Sequence, residues 1–298
     1  MTKKILIVGG NGFLGINIAK GLKSKKYTPI LLCRKKNKKR ELKNFKYLYC
    51  NIKNFSKLKK VLNIDFECVI NLSGNIDHNN KNQVFDTHYQ GLKNIIDIFA
   101  KKNIKLFIQS GSCLEYGRKS SPQVEKSTCK PISYYGKAKY LASKYILRKK
   151  LNFNYIILRM YQVYGPYQKK DRLVPITINS CLNKKKFNCT LGLQKRDFLH
   201  VDDLVKLIIK ILRKKKLQSG IYNVGYGKPI SVKTVINKIK QITGKGKPIF
   251  GGIKMRKDEI KFLYPNINKV RKTFNWRPKI NILKGLNKTI KFYAKQSF

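Results

Sequence analysis

The start of the chain leaves few folds open. Ile5-Leu6-Ile7-Val8 is an apolar run of strand length, and Gly9-Gly10-Asn11-Gly12-Phe13-Leu14-Gly15 follows it directly. Leu14, Ile18 and Leu22 then recur at helical spacing. A GxxGxxG loop between a strand and a helix has a strong physical use. Residues without Cβ let backbone close on a pyrophosphate, and the helix N-terminus turns N–H groups and a positive dipole end toward it. Glycine triplets are common, but one placed after the first strand and opening the first helix is a dinucleotide-binding fingerprint. Gly9, Gly12, Phe13, Leu14 and Gly15 are therefore expected cofactor contacts.

The rest of the chain continues the alternation. Strands are expected at Thr28–Cys33, Tyr47–Cys50, Cys68–Leu72, Lys105–Ser110 and Asn154–Arg159, and helices at Phe55–Leu62, Val84–Lys101 and Tyr135–Lys149. Strands alternating with helices predict an α/β fold, a Rossmann-type doubly wound parallel sheet covered on both faces. The second half is more mixed, with helices near Asp203–Leu212, Val232–Thr243 and Ile267–Phe274 and a strand near Ile221–Val224. It reads as a smaller mixed α/β cap for substrate. The expected division is 1–168 for the dinucleotide-binding domain and 169–298 mainly for the cap, with about 197–226 returning to the first domain.

The end of the second strand selects the cofactor. A carboxylate there would accept hydrogen bonds from the 2′-hydroxyl of NAD, whereas a basic residue would pair with the 2′-phosphate of NADP. The chain reads Leu31-Leu32-Cys33-Arg34-Lys35-Lys36, with no acid. Arg34 therefore favours NADP over NAD. Asn51 and Ile52, after the third strand, are placed to reach the adenine, and Leu72 closes the strand that follows.

Tyr135 and Lys139 form a YxxxK pair, which on a helix puts both side chains on one face. A phenol is a weak acid near neutrality, and an adjacent ammonium favours its ionised form. Tyr140 and Lys144 repeat the spacing. What singles out the first pair is the upstream strand ending in Ser110-Gly111-Ser112, whose hydroxyl can polarise a carbonyl beside the tyrosine.

With Gln109-Ser110-Gly111-Ser112-Cys113-Leu114-Glu115-Tyr116-Gly117, Tyr135-Gly136 with Lys139, and Arg159-Met160-Tyr161-Gln162-Val163-Tyr164-Gly165-Pro166, the chain resembles the extended short-chain dehydrogenase/reductases, the NAD-dependent epimerase/dehydratase family. Arg196-Asp197-Phe198-Leu199-His200-Val201-Asp202-Asp203, Tyr222-Asn223-Val224-Gly225 and the tail from Arg256 to Trp276-Arg277-Pro278 match it in the same order. The resemblance implies action on a nucleoside-diphosphate sugar. It makes Ser112, Tyr135 and Lys139 the triad: hydroxyl polariser, proton donor and acceptor, and ribose anchor. Tyr135 and Lys139 thereby also contact the cofactor. It assigns Ser112, Gln162, Arg196 and Arg256 to the substrate, the two arginines on the diphosphate.

The departures also inform. His88 stands where the family often has Asn, Gln162 where it often has Asn, and Asn51 where it often has Asp. The dehydratase Asp-Glu pair is replaced by Cys113-Leu114, so 5,6-dehydration lacks its acid and base. Leu114 stands two residues after Ser112, where fucose-type epimerase-reductases carry Cys. The branch most resembled is the CDP-abequose synthase-like 4-ketoreductases. The expected reaction is NADPH-dependent reduction of a nucleoside-diphosphate 4-keto-deoxysugar, in deoxysugar biosynthesis for surface polysaccharide. The alternative is an NAD-dependent nucleotide-sugar 4-epimerase, and a homodimer is expected.

Charge sets a competing reading. The 298 residues hold 67 Lys+Arg against 14 Asp+Glu, a formal net charge of +53. That points first to polyanions, and so to a basic nucleic-acid-binding protein on a dehydrogenase scaffold. But 56 of the basic residues are Lys and only 11 are Arg, spread along the whole chain. A nucleic-acid reader would favour the bidentate fork of Arg. A solvated lysine surface is the preferred reading, without nucleic acid as a partner. The seven cysteines show no CxxC spacing, and His78, His88 and His200 show no metal-ligand spacing, so free thiols and no metal site are expected. No apolar run approaches a membrane span, and the first run starts after four residues, so a cytoplasmic location is expected. Asp202 or Asp203 is expected to cap the helix that follows, and Trp276 to anchor a core.

Overall fold

A computed structural model describes residues 3–25, 27–74, 81–255 and 259–296. In the first half, β1 (Lys4–Val8), α1 (Phe13–Lys23), β2 (Thr28–Cys33), β3 (Lys46–Tyr49), α2 (Phe55–Val61) and β4 (Cys68–Asn71) follow in order. Then come α3 (Lys81–Phe85), a π-helical turn (Asp86–Gln90), α4 (Gly91–Phe99), β5 (Leu106–Ser112), a 3₁₀ turn (Cys113–Glu115), α5 (Tyr134–Arg148) and β6 (Asn154–Met160). The second half holds β7 (Gln162–Tyr164), α6 (Leu173–Leu182), β8 (Lys186–Cys189), β9 (Lys195–Arg196), β10 (Phe198–His200), α7 (Val201–Arg213) and β11 (Gly220–Val224). It ends with β12 (Ile230–Ser231), α8 (Val232–Thr243), β13 (Lys247–Phe250), β14 (Phe262–Leu263), α9 (Asn268–Phe274) and α10 (Ile282–Ala294).

The chain divides into two compact units. The first comprises 1–119, 125–160 and 208–223, and the second 120–124, 161–207 and 224–298. The first is built on a seven-stranded sheet in the order β11-β6-β5-β4-β1-β2-β3, parallel from β3 through β6. Leu6, Val8, Ile30, Leu32, Val69, Phe107 and Ile157 share one core with Leu58, Leu92, Ile95, Ile96, Phe99, Ala142 and Ile146 of α2, α4 and α5. The intervening strand residues Ile5, Ile7, Leu31, Ile70, Ile108 and Ile156 are equally buried. Burial on both faces is why these strands read as continuous apolar runs. The doubly wound reading therefore holds.

This topology positions the site. The strand order reverses between β1 and β4, the switch point beyond whose carboxyl ends such sheets bind ligands. Ser112, Leu72, Gly9 and Arg34 come off the same edge in that spatial order, at the ends of β5, β4, β1 and β2. The helix expected over Val84–Lys101 is broken by the π-helical turn, which periodicity of 3.6 does not anticipate.

The second unit carries three small sheets, β10-β7, β12-β9-β14 and β13-β8. Its core joins Tyr164, Val174, Ile178, Cys181, Phe198, Val235, Ile239, Leu286, Ile290 and Tyr293. Trp276 is 1% exposed and donates its indole N–H to the Asp203 carbonyl at 3.0 Å, as a core anchor should. The capping expectation for Asp202 and Asp203 is corrected. Both lie in the first turn of α7, but Asp203 Oδ2 accepts the N–H groups of Lys279 (2.9 Å) and Ile280 (2.7 Å), and Asp202 pairs with Lys288 at 2.7 Å. They tie the C-terminal segment to α7 instead. None of the seven cysteines forms a disulfide, and among the described residues no helix is long and apolar enough to cross a membrane.

Candidate active site

The glycine loop closes directly on the sheet. Gly9 and Gly10 donate their N–H groups to the Leu32 carbonyl at 2.9 and 3.2 Å, and Gly12 donates to Gly9 O at 3.0 Å. Gly12 then stands as the N-cap of α1, whose second residue is Leu14. A Cβ on Gly15 would lie 2.5 Å from Gly9 O and 2.7 Å from Gly10 O. Only glycine lets the first turn of α1 lie this close under the loop, where a helix N-terminus offers N–H groups without intrahelical partners. That cradle fits a pyrophosphate.

The flanking positions follow the sheet edge. Arg34 is exposed directly after β2. Asn51 is exposed and Ile52 is buried after β3. Their loop is held from below by Asn94 of α4, whose amide donates to the carbonyls of Ile52 (2.9 Å) and Lys53 (3.1 Å). Leu72 donates its N–H to Val8 O at 3.0 Å, fixing the end of β4 beside β1.

The other half of the centre is built by β5, the 3₁₀ turn and α5. Ser133 caps α5 by accepting the Gly136 N–H at 3.1 Å. A Cβ at Gly136 would lie 2.5 Å from Leu114 O, so the helix that presents Tyr135 and Lys139 abuts the turn that follows Ser112. Lys139 is 3% exposed and donates to Ser110 O (2.7 Å) and Ser110 Oγ (3.1 Å). Its Nζ lies 5.8 Å from the Tyr135 ring centroid. Burial pushes its ammonium down to about 8, with the Glu115 charge opposing. Ser112 Oγ accepts the Leu114 N–H at 3.2 Å, which leaves the hydroxyl proton to donate. Ser112, Tyr135 and Lys139 thus come from adjoining elements that form one corner of the first unit. His88, from the π-helical turn, packs edge-on to the Tyr135 ring, centroids 4.9 Å apart.

Beneath this corner lies a network absent from the expected site. Glu115 is fully buried. Its Oε1 accepts the Ser112 N–H at 2.8 Å, and its Oε2 accepts from Ser143 Oγ and Arg159 Nε, both at 2.9 Å. The Arg159 guanidinium stacks 4.5 Å from the Tyr116 ring centroid, and the Tyr116 hydroxyl donates to Asn223 Oδ1 at 2.7 Å. Burial pushes that phenol up to about 12. A sequence signal for Glu115 existed: Ser112-x-x-Glu115 is the capping-box spacing, and the structure forms both of its bonds.

Of the proposed substrate residues, Ser112 belongs to the first unit, and Gln162 and Arg196 belong to the second. Gln162 is exposed, with its N–H on the Asp197 carbonyl at 3.1 Å. Arg196 is buried, donating to the Lys195 carbonyl at 2.8 Å and paired with Glu259. Asp197 accepts the N–H groups of Tyr226 (2.5 Å) and Gly227 (2.6 Å), and burial pushes its carboxyl up to about 6. Arg256 and His78 lie outside the described residues.

Residues 5–225 match the NAD dependent epimerase/dehydratase family. The chain is 30% identical to a putative UDP-glucose 4-epimerase of Methanocaldococcus jannaschii, over 96% of this chain and 97% of that protein. It is 26% identical to the CDP-abequose synthase of Salmonella muenchen, over 97% and 98% of the two chains. The crystal structure of UDP-glucose 4-epimerase from Thermotoga maritima with UDP-glucose superposes with a TM-score of 0.91 at 24% identity, covering 98% of this chain and 99% of that one. With its switch-point glycine loop and its Ser-Tyr-Lys corner, the chain belongs to the NAD-dependent epimerase/dehydratase family.

Proposed function

We propose that this enzyme reduces the 4-keto group of a nucleoside-diphosphate deoxysugar with NADPH, acting in the cytoplasm as a homodimer. The observation that carries the choice of reductase is Arg34, exposed directly after β2 in a segment without an acid. Gly9, Gly12, Phe13, Leu14 and Gly15 would hold the cofactor pyrophosphate, Arg34 the 2′-phosphate, Asn51 and Ile52 the adenine, and Leu72, Tyr135 and Lys139 the nicotinamide side. When bound, the nicotinamide supplies the hydride for the keto carbon.

The chain's own residues manage the oxygen. Tyr135 delivers its phenolic proton to the alkoxide as it forms, and the Ser112 hydroxyl donates to the same oxygen. Lys139, anchored on Ser110, places a positive charge beside the phenol and favours its ionised form after the transfer. Gln162, Arg196 and Arg256 are proposed to hold the nucleotide sugar.

The test is a screen of CDP-, dTDP-, GDP- and UDP-4-keto-6-deoxysugars, following NADPH absorbance. Stoichiometric NADPH consumption with one of them supports the reading. The 4-epimerase reading is favoured by the 30% identity to the Methanocaldococcus jannaschii protein. It requires instead that purified enzyme retain bound NAD and turn over with no added cofactor.

A further inference from the structure

Glu115 is one of 14 acids in a chain with 67 basic residues, and it is 0% exposed. A carboxylate removed from water costs several kcal/mol unless its oxygens are paired. Its three donors come from three elements. Ser112 closes β5, Ser143 lies one helical turn beyond Lys139 on α5, and Arg159 belongs to β6. Glu115 touches none of the groups proposed to meet the substrate by side chain. We propose that Glu115 is the positioning residue of this centre. It locks Ser112 to the helix carrying Tyr135 and Lys139, and it sets a buried, Arg159-paired negative charge beneath them.

The bond to the Ser112 N–H fixes the residue whose hydroxyl must donate, while the Ser143 bond fixes the rotation of α5 about its own axis. The carboxylate also acts through its charge. Among the described residues, the titratable and charged groups around Lys139 include Glu115, Tyr135 on its own helix, and His88 against the Tyr135 ring. Arg159, Tyr116 and Cys129 lie behind Glu115. Glu115 is the one whose charge opposes the burial of the ammonium. Arg159 pairs with that carboxylate at 2.9 Å, and its guanidinium is itself held by the stack on Tyr116.

The proposal rests on reading Ser112, Tyr135 and Lys139 as the reacting centre, so the experiment separates the two. Glu115→Gln alone strands a buried Arg159 and can fail to fold, whereas Glu115→Gln/Arg159→Met removes both charges at similar volume. The full chain of each is titrated by NMR at the lysine ¹³Cε, with Lys139→Met to assign the signal. In the folded double variant the Lys139 titration should move to lower pH by about one unit, a tenfold change in its protonation equilibrium. NADPH-dependent turnover should fall about tenfold or more near pH 8, with KM for the nucleotide sugar within about twofold and the pH profile shifted in the same direction. A Lys139 titration that does not move overturns the proposal, whatever happens to turnover. A uniform rate loss with an unshifted profile also overturns it, because a merely structural pair would behave so. Full turnover in Tyr135→Phe would instead overturn the reading of the centre, and the titration result would stand by itself.

Discussion

Lys139 is held against its own solvation. An ordinary lysine titrates at 10.5, and burial brings this one to about 8. Below pH 8 it is charged both folded and unfolded, and the full burial penalty is present. Between pH 8 and 10.5 the unfolded chain binds more protons, so this group makes folding more favourable as pH rises. Above that window it is neutral in both states and the penalty is gone. The stability of Lys139→Met relative to the parent should therefore be most favourable below pH 8. It should decline by on the order of 3 kcal/mol as pH passes 10.5. Urea melts at pH 7 and pH 10 check this, and a constant difference would refute it. Arg34 carries the other residue-scale prediction. Arg34→Asp should raise KM for NADPH by about 10-fold or more and leave KM for NADH far less affected, as loss of a charge-assisted phosphate contact requires. An equal effect on both would refute the 2′-phosphate assignment. Ser112, Tyr135 and Lys139 were legible in the chain because short motifs carry them. The Glu115–Arg159 pair was not, because its members lie 44 positions apart in sequence and no local spacing reports their contact.

At the scale of elements, some periodic segments were readable and others, long as well as short, were not. β2 and α8 match the ranges expected for them, Thr28–Cys33 and Val232–Thr243. The two-residue strands β9, β12 and β14 hold too few residues to show a period of 2. α6 escaped notice although Pro175 sits where a helix tolerates it, in the first turn. α10 was also unread, despite buried Leu286, Ile290 and Tyr293 at helical spacing. The acids opening α7 are the clearest revision. Their composition suited a cap, yet Asp203 serves a distant segment, since only the folded chain brings Lys279 and Ile280 to it. Asp203→Ala should orphan two backbone N–H groups and cost about 1–3 kcal/mol for each. Asp203→Asn, which keeps one acceptor oxygen, should recover most of that loss. Thermal melts compare the two, and equal destabilisation would argue that the charge rather than the acceptor matters.

For the whole molecule, a net charge of +53 acts on anything anionic that approaches. For an enzyme whose proposed substrate and cofactor both carry phosphates, this predicts a salt-dependent encounter. Raising salt from about 0.01 M to about 1 M shrinks the Debye length from about 30 Å to about 3 Å. kcat/KM should fall over that range while kcat changes little. A flat kcat/KM would show that the charge is merely solvated surface. The amino-acid sequence determined the alternation of strands and helices, the glycine loop and the Ser-Tyr-Lys motifs, because periodicity and motif spacing are local properties of a chain. Tertiary structure alone decided which strand ends meet at the switch point, where the acids of α7 bind, and that a buried Glu115–Arg159 pair underlies Ser112. Those are contacts between distant residues, and only an assembled sheet with packed helices brings their partners within hydrogen-bonding reach.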